Sequence, residues 1–244
     1  VFRLFLLVLL AVPSAVAQLK IAAAADLQPV LPTLMQQFEK QTGAKVDASY
    51  ASSATLATQI LNGAPFSLFL AADLSFPQKV TAAGLAGAPV PYARGTLVLW
   101  ARNDSPLQPL TLETLRNPAL KTVAVANAEH APYGRAARAA IETMGLTATL
   151  KDKQVVAENI AQTAQYAETG NAQVGLLSLT SALTAHLSQE GKYVVIPQED
   201  YPPLIQGAVV IKNGADAKQA QQFLDFLLSA PVQQELAARG LRAP

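Results

Sequence analysis

Cysteine is absent from the sequence, and histidine occurs only at His130 and His186. The first absence excludes disulfides, thiolate metal sites, a cysteine nucleophile and the modified cysteine of a lipid anchor. The second leaves little for metal chemistry, since neither histidine stands in a His-x-x-x-His or Glu-x-x-His spacing. Gly-x-x-x-x-Gly-Lys and Gly-x-Gly-x-x-Gly runs are missing as well, so no phosphate cradle of either kind is expected. No serine sits in a Gly-x-Ser-x-Gly elbow, and His130 therefore reads as a structural hydrogen-bonding residue in a turn. This census disfavours a hydrolase and leads to the expectation of a binder without enzymatic activity or cofactor.

Charge is scarce and balanced. Only 14% of residues are charged against 51% hydrophobic, with 18 basic and 17 acidic side chains. Such a chain is globular. It carries neither the basic stripe of a nucleic-acid binder nor a polybasic patch for a membrane surface. The one long apolar run, Leu4 to Val12, follows Phe2-Arg3 and is broken by Pro13-Ser14. It falls well short of the roughly 20 residues that span a bilayer. Ala15-Val16-Ala17 then supplies a small-x-small cleavage pattern, so residues 1–17 read as a signal peptide. A soluble, unanchored periplasmic protein beginning at Gln18 is expected.

The rest of the chain alternates short strands with helices. Strands are expected at Leu19–Ala23, Lys45–Tyr50 and Phe66–Ala71, and helices between them, the first placing Leu27, Leu31, Leu34, Met35 and Phe38 on one face before Gly43. After a strongly apolar strand, Thr96 to Trp100, a second series follows. Its strands are Thr122–Ala126, Lys153–Ala157 and Gln173–Ser178, with helices near Arg135–Met144 and Ile160–Glu168. Gln206–Lys212 and the amphipathic Ala217–Leu228 close the chain. This is an α/β pattern of mostly parallel sheets flanked by helices. Two such series and a returning strand divide the mature chain into lobe 1, residues 18–98 with 206–244, and lobe 2, residues 99–205. Ligand is expected in the cleft between them, where strand ends face each other. Trp100 falls in the hinge strand by this reading, and core packing is its expected role.

Four strand-to-helix junctions carry capping or pre-organising residues: Asp26, Ser52-Ser53, Pro132-Tyr133 and Asn159. Each exposes backbone N–H groups at the positive end of a helix. The residues alone allow two readings, plain capping or a shared anion site.

The run Ala22-Ala23-Ala24-Ala25-Asp26-Leu27 resembles the opening of the periplasmic molybdate-binding proteins of ABC importers. So do Tyr50-Ala51-Ser52-Ser53-Ala54-Thr55-Leu56, Gly63-Ala64-Pro65-Phe66, Asn127-Ala128-Glu129-His130-Ala131-Pro132-Tyr133-Gly134 and Glu158-Asn159-Ile160. The resemblance spans nearly the whole mature chain. It implies a two-lobed type II periplasmic binding protein, a monomer, closing on molybdate or tungstate and docking on the permease subunits of an ABC importer. The metal would arrive as an oxyanion held by hydrogen bonds and not as a bare cation. By motif, Ser53 would offer its hydroxyl and N–H, and Tyr133 and Ile160 their N–H groups. Ser52, Arg135 and Asn159 would stand behind them.

Two positions depart from that pattern. Asp26 stands where the family commonly has serine, and Ser178 where it commonly has tyrosine. An ionised carboxylate cannot donate a hydrogen bond, and beside an anion it costs roughly 4 kcal/mol per unit charge at about 4 Å. Three compensations are open: Asp26 caps its own helix and turns away, Arg135 neutralises it, or it accepts a proton from a ligand such as phosphate or arsenate. A ferric complex held by Asp26 with Tyr50, Tyr133 or Tyr166 is the rival cargo.

Overall fold

The computed structural model describes residues 18–212, 214 and 216–244; the expected leader, residues 1–17, lies outside them. Among the described residues there are ten strands: β1 (Gln18–Ala24), β2 (Lys45–Ala51), β3 (Leu68–Ala71), β4 (Val90–Gly95), β5 (Leu97–Arg102), β6 (Val123–Ala126), β7 (Gln154–Ala157), β8 (Val174–Ser178), β9 (Gly191–Val195) and β10 (Leu204–Val210). They build two five-stranded sheets, ordered β2-β1-β3-β10-β4 and β7-β6-β8-β5-β9. In each sheet four strands share one direction and one opposes them. The opposed strand is β10 in the first sheet and β5 in the second, in each case the strand that has just crossed from the other sheet.

Helices cover both faces. With the first sheet go α1 (Leu31–Thr42), α2 (Ser53–Leu61) and α3 (Ser75–Ala82). With the second go α4 (Pro132–Thr143), α5 (Thr147–Leu150), α6 (Ile160–Glu168), α7 (Leu179–Ala182) and α8 (Ala185–Glu190). The C-terminal α9 (Ala217–Leu227) and α10 (Ala230–Ala238) follow. Alternate residues of a strand face opposite sides, and the cores divide accordingly. Ile21, Leu68 and Leu70 pack with Phe38 and Phe223 on one face of the first sheet. Ala22, Phe69 and Ala71 meet Leu56 and Phe76 on the other. In β5, Leu97 and Leu99 join one cluster, Val98 and Trp100 another.

Several expectations shift. The single helix expected after β1 is interrupted: Ala25–Leu27 is a 3-10 turn, and α1 starts only at Leu31. Pro29 and Pro32 lack N–H donors and constrain the residues before them, yet Leu27 still reaches the same core as Leu31, Leu34 and Phe38. Strands β4 and β9 and helix α10 were not anticipated. The chain changes sheets at Thr96, two residues ahead of the expected lobe boundary, so β5 and its Trp100 lie wholly in the second sheet. Trp100 is buried there, its indole N–H donating to the Leu187 carbonyl at 3.2 Å. The return runs from Ile196 to Pro203, and the Leu97 amide donates to the Tyr201 hydroxyl at 3.0 Å, tying the two crossings together.

Candidate functional site

The parallel strands of both sheets end at one interface. There a compact cavity is lined by the C-terminal ends of β1 and β2, by Ala72 after β3, and by the starts of α2, α4 and α6. Its volume is about 10 Å³ as swept by the centre of a water molecule, which corresponds to a sphere of roughly 2.7 Å overall radius. That volume suits a small globular ion.

At the helix N-termini some donors are already taken and others are free. In α2 the Ala54 amide donates to the His130 carbonyl at 3.1 Å, across the interface. The Thr55 amide donates to the capping Ser52 hydroxyl at 3.2 Å. Ser53 is the first residue of this helix, so no carbonyl of the helix lies behind its N–H. In α6 the Asn159 side chain accepts from both Ala161 and Gln162 at 3.0 Å, leaving the N–H of Ile160. In α4 the first position is Pro132, which has no N–H, and no side chain caps the helix. Its Tyr133 amide is therefore the leading donor. Ser53 adds its hydroxyl: Oγ already accepts from the Ala72 amide at 3.0 Å, so the proton is available to donate. These donors are neutral, buried and set at the positive ends of three helices of at least nine residues.

Gly134 makes this approach possible. A Cβ there would lie 2.4 Å from the Ala126 carbonyl oxygen, so only glycine lets α4 start so close to the end of β6. Gly95 does the same at the crossing, where a Cβ would fall 2.3 Å from the Tyr133 hydroxyl.

Ser53, Tyr133, Ile160 and Asp26 thus meet at the cavity, with Ser52 and Asn159 as caps beside it. Ser178 does not. It caps α7, accepting from the Ser181 amide at 3.3 Å and bonding Thr180 and Ser181 hydroxyls at 2.9 Å, and it does not line the cavity. The Ser-Leu-Thr-Ser sequence that ends β8 makes a capped turn, which draws the hydroxyl into its own helix. Tyr50 and Tyr166 also lie off the cavity wall, the former with its hydroxyl toward the Met35 sulfur.

Asp26 contradicts two of the three compensations. It does not cap the helix that follows: Oδ2 is taken by Gln206 and Oδ1 has no hydrogen-bond partner. Arg135 does not reach it either; the guanidinium pairs with Asp73 and lies over the Phe76 ring, 5.2 Å from its centroid. Instead the Asp26 carboxylate is fully buried, and Oδ2 accepts from Gln206 Nε2 at 2.5 Å. Gln206 Oε1 in turn accepts from the Tyr92 hydroxyl at 2.6 Å. Asp26 Oδ1 and the Tyr133 hydroxyl are both buried with no hydrogen-bond partner. Burial pushes the Asp26 carboxyl up to about 6, against the lowering effects of Gln206, the Asp26 amide and the nearby Tyr133 phenol.

The sequence reading missed Gln206, Tyr92, Asp73 and Thr180, whose hydroxyl donates to the Asp26 carbonyl at 2.8 Å. Gln206, a lone polar residue in the apolar run Leu204 to Val210, was the available signal. Larger hollows exist, one of about 310 Å³ between α4 and β7. Its wall mixes aliphatic residues with the carboxylates of Glu129 and Glu142, and its Arg138 is paired with Glu129 at 3.2 Å, so it offers no comparable set of converging donors.

The bacterial extracellular solute-binding protein family model matches residues 19–242. Molybdate-binding protein ModA of Azotobacter vinelandii is 35% identical over 234 residues, 95% of this chain and 92% of that protein. The protein of the same name from Rhodobacter capsulatus is 35% identical over 224 residues, covering 89% and 85%. The solved structure of the Azotobacter vinelandii periplasmic molybdate-binding protein superposes with a TM-score of 0.87 at 31% identity, covering 93% of this chain and 99% of that one.

Proposed function

The chain belongs to the bacterial extracellular solute-binding protein family, and we propose that it captures a tetrahedral oxyanion, molybdate or tungstate, for an ABC importer. The observation that carries this reading is the convergence of three helix N-termini and the Ser53 hydroxyl on one compact cavity, with no Lys, Arg or His on its wall. Neutral donors suit a protein that must hold a dianion and then release it. The similarity to molybdate-binding proteins supports the choice of cargo.

In this reading the two sheets are the cores of two lobes hinged at Thr96 and at residues 196–203. An oxyanion enters the open cleft, accepts hydrogen bonds from Ser53, Tyr133 and Ile160, and draws the lobes together. Contacts across the interface hold the closed form: the Ala54 amide on the His130 carbonyl, Thr55 Oγ1 on Glu158 at 3.4 Å, and Arg135 on Asp73. The protein acts as a periplasmic monomer and a carrier without catalysis, and the closed pair of lobes is what the permease subunits would engage.

The test is a thermal-shift and calorimetry screen of ligand-stripped protein against molybdate, tungstate, sulfate, phosphate, arsenate and ferric citrate. A ligand at 100 times its Kd stabilises by about 2.7 kcal/mol. Stabilisation by molybdate and tungstate is the expected result. A response to ferric citrate alone, or to phosphate and arsenate alone, would remove the proposed cargo.

A further inference from the structure

Among the described residues Asp26 is the only carboxylate on the cavity wall, and no cationic side chain accompanies it there. Its Oδ2 is held by Gln206, while Oδ1 has no partner. As an ionised group it would present a bare acceptor oxygen where an anion needs donors. A proton on Oδ1 reverses that: the O–H can donate to an anion oxygen or to the Tyr133 hydroxyl oxygen, which is buried beside it without a partner.

The surroundings offer no cation to neutralise it, and the group beside the carboxylate that could donate to Oδ1 is the neutral Tyr133 phenol. From β4 the Tyr92 phenol and from α4 the Tyr133 phenol face Asp26, and burial with the Asp26 charge holds both well above the ordinary tyrosine range. From β10 comes the neutral Gln206, and from α7 the neutral Thr180, which bonds the Asp26 carbonyl. From α2 comes the neutral Ser53. Arg135 of α4 is committed to Asp73. On β2, Lys45 pairs with Glu39, Asp47 is exposed, and the Tyr50 hydroxyl turns to Met35. On α6, Glu168 pairs with His186 at 2.6 Å, and Tyr166 lies off the cavity wall.

We propose that Asp26 makes capture proton-coupled: each oxyanion dianion enters together with one proton from solvent, which forms an O–H bond at Asp26 Oδ1. No bond of the ligand breaks, and the site gains a neutral donor in place of a repelling carboxylate. The selectivity consequence is a preference for a dianion plus a proton over either alone. This rests on the oxyanion reading above. The raised range of the Asp26 carboxyl supports it, and a dianion beside the group moves it further the same way.

Calorimetry of the full chain with molybdate, in two buffers of different ionisation enthalpy at about pH 8, measures the proton count directly. One proton taken up per molybdate is expected, with Kd weakening about tenfold per pH unit above the Asp26 range. Asp26→Asn, which keeps an acceptor for Gln206 and places an N–H donor on the other atom, is expected to bind with a flat pH profile. Wild-type binding with no proton uptake and a flat profile overturns the proposal while leaving the cargo reading intact. Equal pH slopes in wild type and Asp26→Asn overturn the assignment to this residue. Failure of the wild type to bind molybdate at any pH overturns both.

Discussion

The pair between Asp73 and Arg135 spans the cleft, and Asp73→Asn isolates what that pair contributes. One Asp73 carboxylate oxygen, Oδ1, caps α3, accepting from the Ser75 amide and hydroxyl at 2.9 Å and the Phe76 amide at 3.3 Å. The other, Oδ2, receives Arg135. Asparagine is an equally good cap, so the substitution keeps α3 and removes only the charge facing Arg135. The side chains are 17% and 35% exposed, which places the pair between a surface salt bridge of up to about 1 kcal/mol and a buried charged hydrogen bond of about 1.5–3 kcal/mol. A loss of about 1–2 kcal/mol from the closed form is expected. In the proposed trap the pair forms only when the lobes meet, so the loss falls on ligand retention: Kd should weaken about 5- to 30-fold, chiefly through faster dissociation. Calorimetry gives Kd, and a tungstate chase of bound molybdate gives the release rate. An Asp73→Asn protein that releases ligand at the wild-type rate, with unchanged melting temperature, would refute the latch. Arg135→Met should match it, and the double variant should be no worse than either single one.

Three further outcomes follow from the same geometry. Ser53→Ala removes one buried hydroxyl donor and leaves the Ala72 amide unpaired; it should weaken molybdate binding by about 1.5–3 kcal/mol, read as Kd by calorimetry. Gly134→Ala forces α4 away from Ala126 and so carries the Tyr133 amide out of position; molybdate binding should fall at least tenfold while circular dichroism stays native, and wild-type affinity would contradict the close approach. Asp26→Asn should also change stability in a pH-dependent way. The folded pKa, about 6, lies above the 3.8 of an ordinary aspartate, so the folded state holds the proton more tightly and loses stability as pH rises from about 4 to about 6. The full cost, about 3 kcal/mol, then persists at pH 8. Denaturant unfolding of wild type and variant should therefore agree near pH 4 and diverge by up to that amount in favour of the variant at pH 8; a pH-independent difference would count against it.

Helix α6 was legible to the residue, Ile160 to Glu168, because Asn159 caps it and its buried positions recur at helical spacing. Strand β4 was not, since Val-Pro-Tyr-Ala-Arg-Gly mixes turn residues with a strand that is held by pairing to β10 more than a hundred positions later. At the site, local capping and proline chemistry marked the junctions at Asp26, Ser52-Ser53, Pro132-Tyr133 and Asn159, and the resemblance to molybdate-binding proteins singled out Ser53, Tyr133 and Ile160 among them. How Asp26 is compensated there stayed open among three alternatives, because its carboxylate is held by Gln206, 180 positions away, and a single sequence carries no local mark of that pairing. The same holds for Arg135, whose partner Asp73 stands 62 positions earlier, between β3 and α3.

The interleaved strand order bears on how the chain folds. The second sheet is made from one unbroken stretch, β5 to β9, but in the first sheet β4 pairs with β10, which also pairs with β3. A chain emerging from its N-terminus can complete the second half-molecule once β9 is out, while β4 still has no strand to join and one edge of β3 stays open. Pairings of such long sequence separation form slowly, and an open strand edge invites association with other chains. The docking of β10 is therefore the step that ends the vulnerable period, and a chain truncated just before Leu204 should leave a folded second half attached to an incomplete, aggregation-prone first.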